Sequence, residues 1–135
     1  MDDEAKYQTF FIDNATEWLT EMESRLCEFE QSPQDKDLLN DIFRTVHNIK
    51  GTSNTVGFHT IYAFAHYVED LLQYLRQDSL VPDKQIINAL FSAVDIILDM
   101  VESCAGKTVF DLRRCEEWIV DADLIKSHAR LSKHG

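Results

Sequence analysis

The sequence predicts an all-α protein, an up-down antiparallel four-helix bundle with a fifth, C-terminal helix. Three observations carry that reading. Turn formers are scarce, with four Gly and two Pro in 135 residues, too few for a β-sandwich that turns every ten residues or so. Apolar residues recur at three- and four-residue intervals over long stretches, the period of a single helix face. The chain is also 44% hydrophobic and 27% charged, a globular composition with enough length for one core. One domain over residues 1–130 with a short tail over 131–135 is the expected organisation.

The first helix is expected over residues 3–30, where Phe11, Ala15, Trp18, Met22, Leu26 and Phe29 form one stripe. Ser32-Pro33 interrupts that pattern and restarts it, with Ser32 as N-cap, Pro33 as first helical residue and Asp35 in the first turn. The second helix turns Leu39, Ile42, Phe43, Val46, Ile49 and Ser53 inward, weakens at Asn54 and Thr55, and ends near Gly57. A third, about 58–77, uses Ile61, Phe64, Ala65, Val68, Leu71, Leu72 and Leu75. A fourth, about 83–104, carries the broadest apolar face through Ile86, Ile87, Leu90, Val94, Ile97, Leu98 and Val101. After the stop at Ala105-Gly106-Lys107, Thr108 with Asp111 three residues on reads as a helix start. The last helix, about 109–128, is expected to bury Leu112, Cys115, Ile119, Ala122 and Ile125.

The bulk charge narrows the function. A formal net charge of −11 argues against nucleic acid, whose phosphates need a basic surface, and against anionic membranes. No run of eighteen apolar residues occurs and the N-terminus is acidic, so no membrane insertion and no signal peptide are expected. Cys27, Cys104 and Cys115 are odd in number, lack a CxxC spacing and fall on apolar helix faces, which points to free thiols in a reducing cytoplasm. The acids themselves are unevenly spread. Between Asp41 and Glu69 lie 27 residues without one Asp or Glu, a window that holds Arg44, His47, Lys50, His59 and His66. Such a gap suits a surface that must carry a dianionic group, which neighbouring carboxylates would repel.

His47 lies inside this window on the polar side of the second helix, with Lys50 and Gly51 at i+3 and i+4 and Asn54 one turn beyond. Folding the chain back at Gly57 brings His66 and Glu69 level with His47, because both helices rise 1.5 Å per residue. A carboxylate accepting from Nδ1–H fixes the tautomer and leaves the Nε2 lone pair toward solvent, where it can attack phosphorus. Lys50 supplies positive charge for a transferring phosphoryl group, and Gly51 lets a partner come close. The His47–Glu69 pair is read as exposed and of little weight for stability.

The run from Phe43 to Phe58, Phe-Arg-Thr-Val-His-Asn-Ile-Lys-Gly-Thr-Ser-Asn-Thr-Val-Gly-Phe, strongly resembles the histidine phosphotransfer (HPt) motif. It is most similar to the N-terminal phosphotransfer domain of CheA-type chemotaxis histidine kinases. The likeness continues through Ala65-His66-Tyr-Val-Glu69-Asp-Leu-Leu72 and, more loosely, over residues 3–128. The resemblance implies that His47 is the phosphorylated residue and that Lys50, His66 and Glu69 form a hydrogen-bonding network around it. It implies two partners, the ATP-binding domain of a histidine kinase and the receiver domain of a response regulator. The domain would be a phosphoryl acceptor and donor with no kinase activity of its own, although part of a protein histidine kinase if the chain is a fragment. Thr52 and Ser53 depart from the small Gly or Ala that members often carry there. The 135 residues hold no dimerisation, nucleotide-binding or receptor-coupling region, so the chain is expected to be either an excised domain or a stand-alone phosphotransfer protein.

No cofactor is expected, and Mg²⁺ for transfer to an aspartate would come from the receiver, since the window around His47 has no hard-metal ligands. A di-iron bundle needs inward Glu residues and two Glu-x-x-His motifs, and this chain has one His-x-x-Glu and none of the latter; no metal site is expected. The alternative is a helical-bundle adaptor that binds a partner without being phosphorylated. For a docking receiver the expected surface spans the second and third helices around Gly51, with Arg44, Asn48, Asn54 and Phe58 exposed beside His47.

Overall fold

The computed structural model describes residues 3–134, and the side chains of residues 3–128. It contains α1 (Asp3–Gln31), α2 (Lys36–Thr55), α3 (His59–Arg76), α4 (Lys84–Cys104) and α5 (Arg113–His134), with no strand among the described residues. In the bundle α1 packs on α2 and α4, and α3 packs on α2 and α4, so the first four helices form a ring. α5 lies outside it, across α3 and α4. Contacts between neighbours run in opposite sequence directions, as antiparallel packing requires. Gln8 meets Val56, Asn40 meets Arg76 while His47 meets Glu69, and Ala89 meets Trp118 while Asp99 meets Arg114.

The apolar stripes meet inside the ring. Phe11, Ala15, Met22, Leu26 and Phe29 of α1 are buried as expected, and so are Leu39, Ile42, Val46, Ile49 and Ser53 of α2. All seven expected residues of α3 are buried. Trp18 is half-buried, and Leu19 takes the core position beside it. Replacing Leu72, which has no exposed surface, by Ala should cost about 2–5 kcal/mol through lost burial and a residual cavity. Urea denaturation monitored by helicity measures it, and a change below about 1 kcal/mol would mean the site repacks.

Two helix starts differ from expectation for one shared reason. Asp35, not Ser32, caps α2, its carboxylate accepting from Asp37 N and Leu38 N at 3.0 and 3.2 Å. Ser32 N instead bonds back to the last carbonyls of α1. Likewise Asp111, not Thr108, stands at the head of α5, accepting from Arg113 N at 3.0 Å. In both places a carboxylate lies three residues beyond a hydroxyl. The charged acceptor meets the positive end of the helix dipole and wins.

The later start of α5 leaves Leu112 exposed rather than buried. Its place is taken by Trp118, whose indole donates to Ala89 O at 2.8 Å and whose ring meets Phe64 edge-on. α5 also runs to His134, past its expected end near 128. Gly135, the last residue of the expected tail, lies outside the described residues, as do Met1 and Asp2.

Of the three cysteines only Cys115 is buried, and burial pushes its thiol up to about 11. Cys27 and Cys104 are exposed, against expectation: Cys27 lies off the buried stripe of α1, and Cys104 is the last residue of α4. Among the described residues no helix is long and apolar enough to cross a membrane.

Candidate functional site

The turn between α2 and α3 sets the register of the site. Gly57 adopts a φ of +89°, a left-handed conformation that favours glycine. Phe58 N then donates to Ser53 O at 2.9 Å and closes the end of α2. The chain reverses within three residues, so α3 returns beside α2. Gln8 of α1 holds the turn from outside by donating to Val56 O. Phe58 is half-buried and packs its ring on Phe11, with centroids 5.6 Å apart. It belongs to the edge of the core rather than to the exposed surface expected of it, because the tight turn folds its ring back onto α1.

With that register, Glu69 of α3 stands opposite both His47 and Lys50 of α2. His47 Nδ1 lies 2.9 Å from Glu69 Oε2, and Lys50 Nζ donates to Glu69 Oε1 at 2.9 Å. One carboxylate therefore uses each oxygen for a different partner. The Lys50 and Glu69 side chains are each 17% exposed, whereas that of His47 is 63% exposed. Burial alone would raise the Glu69 pKa. The hydrogen bonds and charges of Lys50 and His47 outweigh it and hold the carboxyl below its usual range. An ionised carboxylate can only accept, so the proton sits on Nδ1 and the Nε2 lone pair faces out.

The pair is thus less exposed than the sequence implied, because the α2–α3 packing covers the carboxylate and the ammonium and leaves only the ring in solvent. Glu69→Ala should cost about 1 kcal/mol by leaving Lys50 without its partner, a loss that the flexible lysine stem limits by reaching water. The sign with pH follows from the depressed carboxyl: its contribution is present above the unfolded carboxylate range and is lost as pH falls through the lower folded pKa. The melting temperatures of wild type and Glu69→Gln should therefore differ at pH 7 and converge as the pH falls through the lowered folded-state pKa of Glu69. A gap that persists in acid would mean the carboxylate is not what stabilises the site.

The other expected residues are placed less uniformly. Gly51 is exposed, and a Cβ there would meet nothing within 4 Å. Arg44, Asn48 and Asn54 are exposed on α2, with Arg44 3.6 Å from Asp41. His66 is exposed and lies edge-on to Tyr62, its Nε2 4.0 Å from Asp70. No hydrogen bond joins it to His47, Lys50 or Glu69 among the described residues, because i−3 from Glu69 turns it toward the outer side of α3. No group of three or more His, Cys, Asp or Glu is gathered as a metal would require among the described residues.

Two features escaped sequence reasoning. The Phe43 ring lies parallel to the His47 imidazole, 8° between planes and 6.2 Å between centroids. The signal was the i, i+4 spacing, hidden because Phe43 also fits the core stripe. A groove of about 440 Å³ runs between α1 and α2, lined by Tyr7, Phe10, Phe11 and Trp18 on one side and by Thr52, Thr55 and Val56 on the other. Tyr7 and Phe10 are 62% and 67% exposed.

A helical bundle that presents a solvent-facing imidazole tethered from behind by a carboxylate defines a class of histidine-bearing four-helix modules. The chain belongs to the Hpt domain family, whose model matches residues 7–104. It is 38% identical over 103 residues to the chemotaxis protein CheA of Klebsiella aerogenes, which covers 76% of this chain and 16% of that protein. To the chemotaxis protein CheA of Treponema pallidum it is 35% identical over 96 residues, 71% of this chain and 12% of the relative. The chain thus spans less than a fifth of the length of either relative. Its fold matches a solved structure, the phosphorylated P1 domain of CheA3 in complex with CheY6 from R. sphaeroides. That match has a TM-score of 0.80 at 22% identity and covers 92% of this chain and 98% of that one.

Proposed function

We propose that this domain carries a phosphoryl group on His47 Nε2, taking it from a histidine kinase ATP-binding domain and passing it to an aspartate of a response-regulator receiver in chemotaxis-type signalling. The observation that carries the proposal is the exposed imidazole whose Nδ1 is held 2.9 Å from a carboxylate. In the first transfer the Nε2 lone pair attacks the γ-phosphorus, the bond to the ADP oxygen breaks, and the ring becomes cationic. Glu69, accepting from Nδ1–H, stabilises that positive charge as it develops, and Lys50 keeps Glu69 ionised beforehand. In the second, the receiver carboxylate attacks phosphorus, the N–P bond breaks, and the neutral imidazole returns with its proton still on Nδ1. Mg²⁺ for this step is the receiver's.

Little covalent chemistry falls to the domain, and positioning is its contribution. Arg44, Asn48, Gly51 and Asn54 form the face a partner meets around the ring. His66, exposed on the α3 side, belongs to the polar surround of that face. The groove between α1 and α2, with Thr52 next to Gly51, gives an incoming receiver apolar surface to bury, enough for a transient contact rather than an obligate one. The free thiols and the absence of a spanning helix among the described residues fit a cytoplasmic setting.

The test is to incubate the domain with ATP and the kinase region of the Klebsiella aerogenes relative, then map the label by mass spectrometry. Acid-labile, base-stable phosphate on His47 is expected. Phosphate on His66 or on a hydroxyl side chain would defeat the assignment, and a partner captured without any phosphorylation would favour the adaptor reading.

A further inference from the structure

Phe43 and Arg76 take no part in the transfer steps, yet they are joined to His47 in one line. Phe43 precedes His47 by one helical turn on α2, and its ring is parallel to the imidazole. At 6.2 Å between centroids this is an offset stack, within the range in which aromatic pairs attract. The Arg76 guanidinium lies 4.1 Å from the Phe43 ring centroid. Arg76 is itself fixed at two points, Nε donating to Asn40 Oδ1 at 3.0 Å and Nη1 to Gln73 Oε1 at 3.2 Å. In the antiparallel register Arg76 is level with Asn40, as Glu69 is level with His47. It therefore reaches Phe43 from the end of the site away from the imidazole. The order along the α2–α3 seam is Arg76, Phe43, His47.

The imidazole needs such a support. Its side chain is 63% exposed, and beyond its Cβ attachment it is held by one hydrogen bond among the described residues, between Nδ1 and Glu69. A hydrogen bond tolerates a spread of angles, so χ1 and χ2 can still drift together. A second ring held parallel to it narrows that drift, and a guanidinium over the aromatic face keeps that second ring in place. A ring already aligned loses less freedom when a partner of fixed geometry must meet Nε2 in line.

We propose that Phe43, clamped by Arg76, is a positioning residue that holds the His47 imidazole in a single orientation, with Nε2 aimed at an incoming protein partner. The functional half rests on His47 as the phosphoacceptor, and the orientational half does not.

Three variants of the full chain test it: Phe43→Leu, which removes the ring but keeps bulk; Phe43→Tyr, which restores a ring; and Arg76→Met, which leaves the ring unclamped. Orientation is read by NMR from the ring-proton shifts and side-chain couplings of His47. Transfer is read after loading with phosphoramidate, from which the Nε2 lone pair takes the phosphoryl group as the P–N bond breaks and ammonia leaves. That donor is small enough to reach an exposed ring from any side. In Phe43→Leu the couplings should average over rotamers and transfer to the CheY6 receiver should fall about five- to tenfold, the size of one aromatic pair. Loading by phosphoramidate should change less than about twofold. Phe43→Tyr should restore both readouts, and Arg76→Met should lie between.

Couplings that stay fixed at wild-type values in Phe43→Leu, or an unrescued loss in Phe43→Tyr, would overturn the inference. Failure of wild-type His47 to take phosphate at all would instead overturn the phosphoacceptor reading. The couplings would still decide whether Phe43 orients the ring.

Discussion

His47→Gln should abolish phosphate incorporation from ATP and a kinase partner, with no residual label above background, while the domain stays folded. Loss is expected to be complete because no second nucleophile among the described residues shares the geometry. His66 is exposed, but its ring faces Asp70 at 4.0 Å and no carboxylate holds its other nitrogen. Glutamine cannot attack phosphorus, since its amide nitrogen has no available lone pair, yet it keeps a donor that can reach Glu69. The imidazole is largely in solvent, so the exchange should change stability by no more than about 0.5 kcal/mol. His66→Gln is the matched control and should label like wild type. The measurement is radiolabel retained after base and lost after acid, read beside the melting curve. Label that survives in His47→Gln, or a variant that no longer folds, would contradict the reading.

How much of this site was legible in the sequence depends on whether a residue's role is local or tertiary. The pairing of His47, Lys50 and Glu69 needed only helical rise and one turn at Gly57, so counting residues from the turn was enough to bring them together. The burial of Lys50 and Glu69 was not legible, because it depends on how closely α2 and α3 pack, which periodicity does not reveal. Phe43 fits the core stripe by its spacing and is half-buried. A residue on the border between two faces satisfies both patterns, and only the neighbouring helix decides. The same limit explains Trp118. Its burial follows from a hydrogen bond to Ala89 O and a contact with Phe64, both on other helices. Helix starts failed for a different reason. Ser32 and Thr108 are acceptable caps, but Asp35 and Asp111 are better ones a few residues on, and pattern alone cannot rank two adjacent candidates.

Gly51→Gln should leave the fold intact and cut transfer to a receiver by about tenfold or more, since displacing reacting groups by about 1 Å can cost 10²-fold. Two roles were open to this glycine: to let α2 pack closely against a neighbour, or to let a partner approach His47. A Cβ at Gly51 would meet nothing within 4 Å, which removes the packing role. Glycine in a helix interior costs about 0.5–1 kcal/mol relative to alanine, so a stable bundle gains if it is replaced. Its presence one turn before the C-terminal end of α2, one turn from the imidazole, then calls for a reason outside the folded monomer. Gly51→Ala should raise stability by several tenths of a kcal/mol and reduce transfer only slightly, because a methyl group adds little height. Gly51→Gln should gain similar helical stability, while its longer side chain stands where a receiver must come in. Phosphoramidate loading of Gly51→Gln should remain near wild type, since a small donor passes beside the added side chain. Loss of both loading and transfer would mean that the substitution disturbs His47 itself. Wild-type transfer in a folded Gly51→Gln would place the docking surface away from this stretch of α2, with the exposed Tyr7 and Phe10 of the α1–α2 groove as the next surface to substitute.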